Sequence, residues 1–501
     1  MIFNVLLFCF VLYLLYYYFT RTFGHWKKKK VNGPKPTPLF GNFMNVTLMK
    51  DLQTFQLKKI CDKFPNEPII GVYRMTTPWL IIRDLDIVKH VLIKDFDMFS
   101  DRGVPVASKK LRQNLFVAKS DSWRVLRHQF TPLFTTGKLK NMFHLINEKG
   151  DAFLNYIDSI SQKTPDQELH PLIQLYTLST ISACAFGLDV ELSGSNSIMN
   201  SFRDIDSIIF QRRPIQEFGI LYPKFFSNLV SSLKFSRLLD DFFSDLVATV
   251  VKQRNGKSIN RNDFMDLLLD LRNQGRISSP KREGFEEQTL EITDDIMAAQ
   301  AFVFYLAGYE TSATTMSFML YELARNPHIQ EKLHQEVDEI LRKGDGQITY
   351  EALGQLPYME KVFDETLRKH PVLDPLMRTA VKDYKIPGTD VVIEKGQVIV
   401  VPVRAIHYDE TIYPDPQKFD PERFDKKLSA ERHSCAYLPF GLGPRNCIGK
   451  LYYLLLLIYI VLMSNEIDFH TLSRIYYVKT YLKYPTVDKK YYVSLNFKNI
   501  N

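Results

Sequence analysis

Apolar residues run without interruption by a charge from Ile2 to Phe19, a stretch rich in Leu, Phe and Tyr. Eighteen such residues suffice to cross a bilayer core as a helix. The charges that follow, Arg21 and Lys27 to Lys30, lie on the C-terminal side with Trp26 among them, and no basic n-region or small-x-small cleavage site is present. The pattern predicts an uncleaved anchor over 1–20 with the rest of the protein cytosolic, rather than a removed signal peptide. Gly33, Pro34, Pro36 and Pro38 then exclude a helix and predict a basic, stiff linker over 21–42.

Further on, Ile69 to Tyr73 and Trp79 to Ile82 are short runs of strand-forming residues, and amphipathic helical stretches follow. From about Ser201 to Phe243 helical patterns alternate with Pro214 and Pro223, and the cluster from Phe218 to Phe226 fits either a core or a patch touching a membrane surface. Lys252 to Lys281 is basic and polar and reads as a solvated connection. Thr293 with Asp294 and Asp295 starts a helix that runs to Arg325, where Pro327 stops it. About thirty residues make a rod of roughly 45 Å. Only Gln300 is polar between Met297 and Tyr309, so the rod is buried; its apolar length is too short for a second membrane span. A helix carrying Glu365 and Arg368 ends at His370-Pro371, Pro371 to Arg378 is extended, and Val391 to Val403 alternates as a strand does.

Composition narrows the class. With 501 residues of which 45% are hydrophobic, the chain builds a large core and is not disordered. Five cysteines show no pairing or CxxC spacing, which argues against a disulfide framework and for a reducing compartment. The net charge of +8 is modest, and the basic runs lack interleaved aromatics, so no nucleic-acid partner is expected.

The chemistry concentrates in Pro439 to Gly449. Three glycines and two prolines in eleven residues form neither helix nor strand interior, so this is a shaped loop whose backbone N–H groups can surround an anion. Cys447 is its one residue able to become an anionic metal ligand; a lone cysteine elsewhere is usually buried and inert. In the buried rod, Ala307-Gly308-Tyr309-Glu310-Thr311 places a glycine and a threonine able to bond the carbonyl of Ala307, which bends a helix. Taken alone, Gly308 and Thr311 also fit a close helix contact and a satisfied core hydroxyl. Trp123 and Arg127, at i and i+4, can converge on carboxylates, or serve as a core aromatic and a surface charge. Glu365 and Arg368, at i and i+3, would on an exposed helix be a minor surface pair.

The order Phe440, Gly441, Gly443, Arg445, Cys447, Gly449, written F-G-x-G-x-R-x-C-x-G, resembles the haem-binding loop of the cytochromes P450. The A-G-x-E-T string, the W-x-x-x-R pair, the E-x-x-R pair and the later Pro421-Glu422-Arg423-Phe424 stand in that family's order, so the resemblance spans about residues 33 to 449. It implies a mainly α fold with small β-sheets and one N-terminal transmembrane anchor, the catalytic domain covering 43–449. It implies a thiolate-ligated haem b held by Cys447, with Trp123, Arg127, Arg378 and Arg445 as propionate contacts and Phe440 in the cofactor-binding loop. Thr311, supported by Glu310, would relay protons; Glu365, Arg368 and Arg423 would fix the cysteine loop. The activity implied is monooxygenation of a small lipophilic substrate. NADPH electrons would arrive through NADPH-cytochrome P450 reductase, with cytochrome b5 as an auxiliary donor, at the endoplasmic reticulum membrane. Asp95 to Gly103 and Asp415 to Phe424 look most like insect microsomal members that handle foreign and plant-derived compounds. The segment from Arg102 to Ala118 matches the family's substrate-contacting loop, and Ser201 to Phe243 its channel lid.

After Gly449 the resemblance stops. The family's helix there reads roughly x-Arg-Phe-Ala/Gly; here it reads Lys450-Leu451-Tyr452-Tyr453, and Leu451 to Met463 is thirteen apolar residues in a row. Gly449-Lys450-Leu451 can be encoded as GGT-AAG-TTA, which contains a splice-donor consensus. Residues 450–501 are therefore expected to be an atypical tail from a retained intron, the alternative being a divergent but genuine helix. That keeps open a catalytically impaired or non-enzymatic haem-binding isoform, alongside an oxygen-independent isomerase or dehydratase that Thr311 disfavours.

Overall fold

A computed structural model describes the chain except residues 105, 107, 162–165, 193–200, 203, 207–208, 210–233, 281–286, 345–348, 454, 457–466, 469–491, 495 and 498–501. Pro214, Pro223, the cluster Phe218 to Phe226 and most of the apolar run after Leu456 lie outside the described residues.

The architecture is mainly helical with small sheets. Helix α1, Ile2–Thr20, buries none of its residues. Strands β1, Ile69–Arg74, and β2, Thr77–Ile82, pair antiparallel from Ile69 opposite Ile82. Helix α2 is Ser120–Phe130, α3 is Leu169–Ile181, and the predicted rod is two helices, α4, Asp294–Gly308, and α5, Glu310–Arg325. Helix α6, Pro357–Lys369, leads to β3, Leu376–Thr379, and β4, Val398–Val401, completes a sheet of order β1-β2-β4-β3. β4 runs parallel to β2, with Trp79 opposite Val398, and antiparallel to β3, with Leu376 opposite Val401.

The segment joining α1 to the sheet is stitched down rather than hanging free. The Trp26 indole is buried, its N–H donating to the Val72 carbonyl at 3.0 Å, and its backbone N–H reaches the Tyr73 hydroxyl at 3.1 Å. A Cβ on Gly71 would sit 2.4 Å from the Trp26 ring, so the strand approaches the indole only because Gly71 has no side chain. The Gly71 N–H in turn donates to the Asn32 carbonyl, and the Tyr73 hydroxyl to that of Phe23.

Two expectations are corrected. The polar stretch Lys252 to Lys281 contains a helix, Phe264–Gln274, capped by the Asp263 side chain and burying Phe264, Met265, Leu268, Leu269 and Leu271. Arg254 is buried too, bound by Asp263 at 2.6 Å and Asp266 at 2.7 Å. Leu268, Leu269 and Leu271 recur at helical spacing, and their signal is masked by the charges that cap and pair around them. The run Val391 to Val403 is likewise not one strand. It splits into Val392–Ile393 and β4, with Gly396 at φ +85° in the turn between, a conformation few side chains tolerate.

Candidate functional site

The interruption of the rod is local and has two causes. Gly308 lies so close to α3 that a Cβ there would meet Ile181 at 2.6 Å, and Tyr309, the turn residue between the two helices, is displaced to ψ −77°, at the margin of the helical region. The Thr311 hydroxyl donates to the Ala307 carbonyl at 2.5 Å, as the A-G-x-E-T string predicts. In a helix otherwise buried, Ala307 is exposed and Thr311 half-buried, so this face borders an interior space. Glu310, one residue back, points the other way, into α3.

The loop carrying Cys447 is turned by Gly441 and Gly443 at φ +68° and +73°. Gly443 also presses on neighbouring backbone, since a Cβ there would lie 1.9 Å from the Leu92 carbonyl oxygen. The Cys447 N–H donates to the Phe440 carbonyl at 2.8 Å, closing the loop. Burial pushes the Cys447 thiol up, with the nearby Arg102, Arg127 and Lys450 charges opposing that shift. Yet solvent reaches Cys447. A group deep in the protein and still accessible faces an interior opening, not the outer surface. The Phe440 ring, half-buried, stacks edge-on with Tyr453 at 5.7 Å.

Around this opening the structure collects guanidinium groups. Arg445 is buried, 4.2 Å from the ring of buried Trp123, and donates to the carbonyls of Phe116 and Ala118. Arg378 is buried and donates to the Met377 carbonyl. Arg127 donates to the Asn446 backbone and side chain at 2.9 and 2.7 Å, bracing the loop. Arg102, which the sequence reading passed over, donates to the Arg445 carbonyl at 2.7 Å. Burial depresses all four, Arg378 to about 10 and Arg445 to about 9, and mutual repulsion adds to this at Arg102 and Arg445. The nearest carboxylate to Arg445, Asp101, stands 3.9 Å away. The Nε groups of Arg102, Arg378 and Arg445 are buried without a hydrogen-bond partner. Converging buried cations with spare donors fit a dianionic group, and haem carries two propionates.

Beneath the loop lies a second arginine site of opposite character. Glu365 and Arg368 are fully buried and paired through 2.6 and 2.9 Å bonds, and Arg368 also donates to the carbonyls of His407 and Pro416 at 2.9 Å. Arg423 approaches Glu365 only to 3.6 Å and spends its donors on the Pro414 and Asp415 carbonyls. His407 was not legible as a site residue. Its Nε2 accepts from the Leu438 N–H at 2.9 Å, so its Nδ1 carries the proton and donates to the Arg368 carbonyl at 3.0 Å. Burial, reinforced by the charges of Arg368 and Arg404, holds this imidazole neutral with its pKa lowered to about 3. His407 thereby ties the ion pair to the segment entering the cysteine loop, a link no spacing in the sequence reveals.

The tail's first turn meets this site. The Tyr453 hydroxyl lies 3.0 Å from Thr315 and also engages Thr311, while its ring packs against Phe363 and Phe440. The side chain that looked too large for its position is thus accommodated against α5.

Residues 31–451 match the family model described as Cytochrome P450. Cytochrome P450 6B6 of Helicoverpa armigera is 49% identical over 435 residues, 87% of this chain and 86% of that one. Cytochrome P450 6B1 of Papilio polyxenes is 48% identical over 437 residues, covering 87% of each. Probable cytochrome P450 6a14 of Drosophila melanogaster is 38% identical over 465 residues, covering 90% of each.

Proposed function

Because the chain belongs to the cytochrome P450 family of haem-thiolate monooxygenases, we propose that it inserts one oxygen atom of O2 into a small lipophilic substrate, with electrons from NADPH through a flavoprotein reductase. The observation that carries this reading is the accessible Cys447 thiol deep in the protein, on an opening bordered by the exposed face of the broken helix and by guanidiniums with unbonded Nε groups. The bound haem supplies oxygen activation and electron transfer. The protein's residues do the rest. Cys447 ligates as the thiolate; Trp123, Arg127, Arg378, Arg445 and Arg102 hold the propionates; Phe440 packs against the loop. Thr311 presents a hydroxyl that orders water and passes a proton, with Glu310 behind it.

Helix α1, apolar and wholly exposed, supports a membrane anchor for a cytosolic body, with the endoplasmic reticulum as the compartment where such a reductase resides. The proposed organisation is anchor 1–20, linker 21–42, catalytic domain 43–449 and an atypical tail from 450.

A second reading, an impaired haem-binding isoform, is favoured by one observation: the family match ends at residue 451. A reduced carbon monoxide difference spectrum of the full-length protein in membranes, followed by product formed per NADPH consumed, separates the two. Active enzyme shows the thiolate-type spectrum and product; the impaired form lacks one or both. In Cys447→Ser the thiolate-type spectrum is expected to vanish, and its survival would place the iron elsewhere. Thr311→Ala is expected to keep the spectrum and lose product per NADPH; an unchanged ratio would leave Thr311 a core hydroxyl.

A further inference from the structure

Between Met297 and Phe304 the only polar side chain of α4 is Gln300, and it is fully buried. A buried amide needs partners, and both of its partners lie on one segment far away in the sequence. Gln300 Oε1 accepts from the Leu115 N–H, and its Nε2 donates to the Gln113 carbonyl, each at 2.9 Å. One partner is a backbone donor and the other a backbone acceptor, so the orientation of the amide is fixed.

The rest of that segment has little slack. Asn114, also buried, accepts from the Phe116 and Val117 N–H groups at 2.9 and 3.1 Å and donates to the Leu111 carbonyl at 2.6 Å. At the far end Arg445 donates to the carbonyls of Phe116 and Ala118. Loops are ordinarily the mobile part of a fold. Gln113 to Ala118 is instead a strap, fastened to the rod at one end and to the cysteine loop at the other. The guanidinium of Arg102 lies 4.2 Å over the Phe116 ring and is one of the charges acting on Cys447, so the strap borders the same opening.

Where the strap is fastened gives it a role. With 3.6 residues per turn, positions seven apart share one face of a helix, and Gln300 and Ala307 are so related. Ala307 is exposed to the opening. Gln300, on the same face roughly 10 Å along the axis, meets the strap instead of open space. Val303 and Phe304, on the turn between them, are buried, so the space closes toward Gln300. Removing the amide would leave a buried N–H and a buried carbonyl unpaired, a larger penalty than the loss of the bonds themselves, and the strap would shift to hydrate them.

We propose that Gln300 is a positioning residue that sets substrate length: by holding the backbone of Gln113 and Leu115 it fixes a ceiling roughly 10 Å along the rod from Ala307, and the site therefore takes compact lipophilic substrates and rejects extended ones. Selection by length rests on the haem-thiolate reading; the hold of Gln300 on the strap does not. Because the amide bonds main chain rather than side chains, the ceiling stays at one height whatever side chains the strap presents.

Two measurements on the full-length, haem-loaded protein test this, with Gln300→Met as the variant because it keeps the volume and loses both bonds. Hydrogen exchange reads the amides of Gln113 to Ala118. Spectral titration reads the affinities of imidazole, phenylimidazole and biphenylylimidazole, which bind iron through the same ring and differ in length. In the parent the strap is expected to exchange slowly and biphenylylimidazole to bind more weakly than phenylimidazole. In Gln300→Met exchange in the strap is expected to rise roughly 10-fold, as for a lost hydrogen bond, and the ratio of biphenylylimidazole to phenylimidazole affinity to rise by a similar factor. Imidazole affinity is expected to stay the same, which general loosening of the fold would not allow. Should Gln300→Met not fold, Gln300→Asn, an amide too short to span both partners, carries the same comparison. Unchanged exchange in the strap would overturn the hold of Gln300; faster exchange with an unchanged affinity ratio would overturn the ceiling. A parent protein without the thiolate-type carbon monoxide spectrum would overturn the haem reading and the length selection with it, while the exchange measurement still decides whether Gln300 holds the strap.

Discussion

Two buried arginine sites lie within reach of the cysteine loop, and they are built on opposite plans. Arg368 is completed by the protein: a bidentate carboxylate, backbone carbonyls and the rings of Tyr408 and Tyr413 surround it, and although burial pulls its pKa down, pairing with Glu365 outweighs that and leaves it raised. Arg378 and Arg445 are left incomplete, with depressed pKa values, unbonded Nε groups and each other as neighbours. Desolvating a cation without a counter-ion costs several kcal/mol, so a fold does not tolerate it idly. The difference separates a cation that holds the chain together from cations arranged for something the chain does not supply.

Removing either member of the completed pair should have the largest effect. Glu365→Ala or Arg368→Ala strands a buried charge and is expected to lose roughly 3 to 5 kcal/mol with or without haem. Thermal unfolding of apoprotein and holoprotein checks this, and a normal apoprotein melting point would erase the contrast. Arg378→Met should behave oppositely. Relieved of repulsion, the apoprotein is expected to be no less stable, whereas haem affinity drops by roughly 1.5 to 3 kcal/mol for a lost charged hydrogen bond. Urea unfolding set against haem transfer to a competing apoprotein reads both, and equal loss in both would make Arg378 another structural cation. Arg423→Lys, which keeps the charge near Glu365 but cannot span the Pro414 and Asp415 carbonyls, is expected to cost about 1 kcal/mol. A loss as large as that of Arg368→Ala would promote Arg423 to a full member of the pair.

What the sequence made legible follows from how locally each device is encoded. The cysteine loop spells its glycines, its thiol and its arginine within eleven residues, and the helix break needs only Gly308 and Thr311. Glu365 and Arg368 are one helical turn apart, so their pairing was visible from spacing, while their burial was implied only by the family resemblance. The remainder depends on chain segments far apart. Arg102 joins Arg445 across 343 positions, and His407 meets Leu438 and Arg368 through contacts no period predicts. His170 reaches Glu310 over 140 positions, from a helix buried along most of its length, where a histidine looks like any other core residue. The helix at Phe264–Gln274 was missed for a different reason: its carboxylates cap and pair internally, while in the sequence they read as solvation.

The docking of Trp26 against Gly71 bears on mechanics. Thr22 and Phe23 already bond the sheet, so a single residue, Arg21, separates the last turn of α1 from chain fixed to the body. There is no swivel. A nineteen-residue helix is roughly 28 Å long, close to the thickness of a hydrocarbon core, and a spanning helix adjusts its tilt to that thickness. If α1 spans a bilayer as proposed, a joint this short means that tilting α1 tilts the whole protein, and bilayer thickness would become a setting for how its surface meets the headgroups. Neutron reflectometry on bilayers of graded thickness would show one coupled angle for the parent protein and two independent ones for Gly71→Ala, in which the indole is forced out; independent angles in both would mean the joint is loose after all.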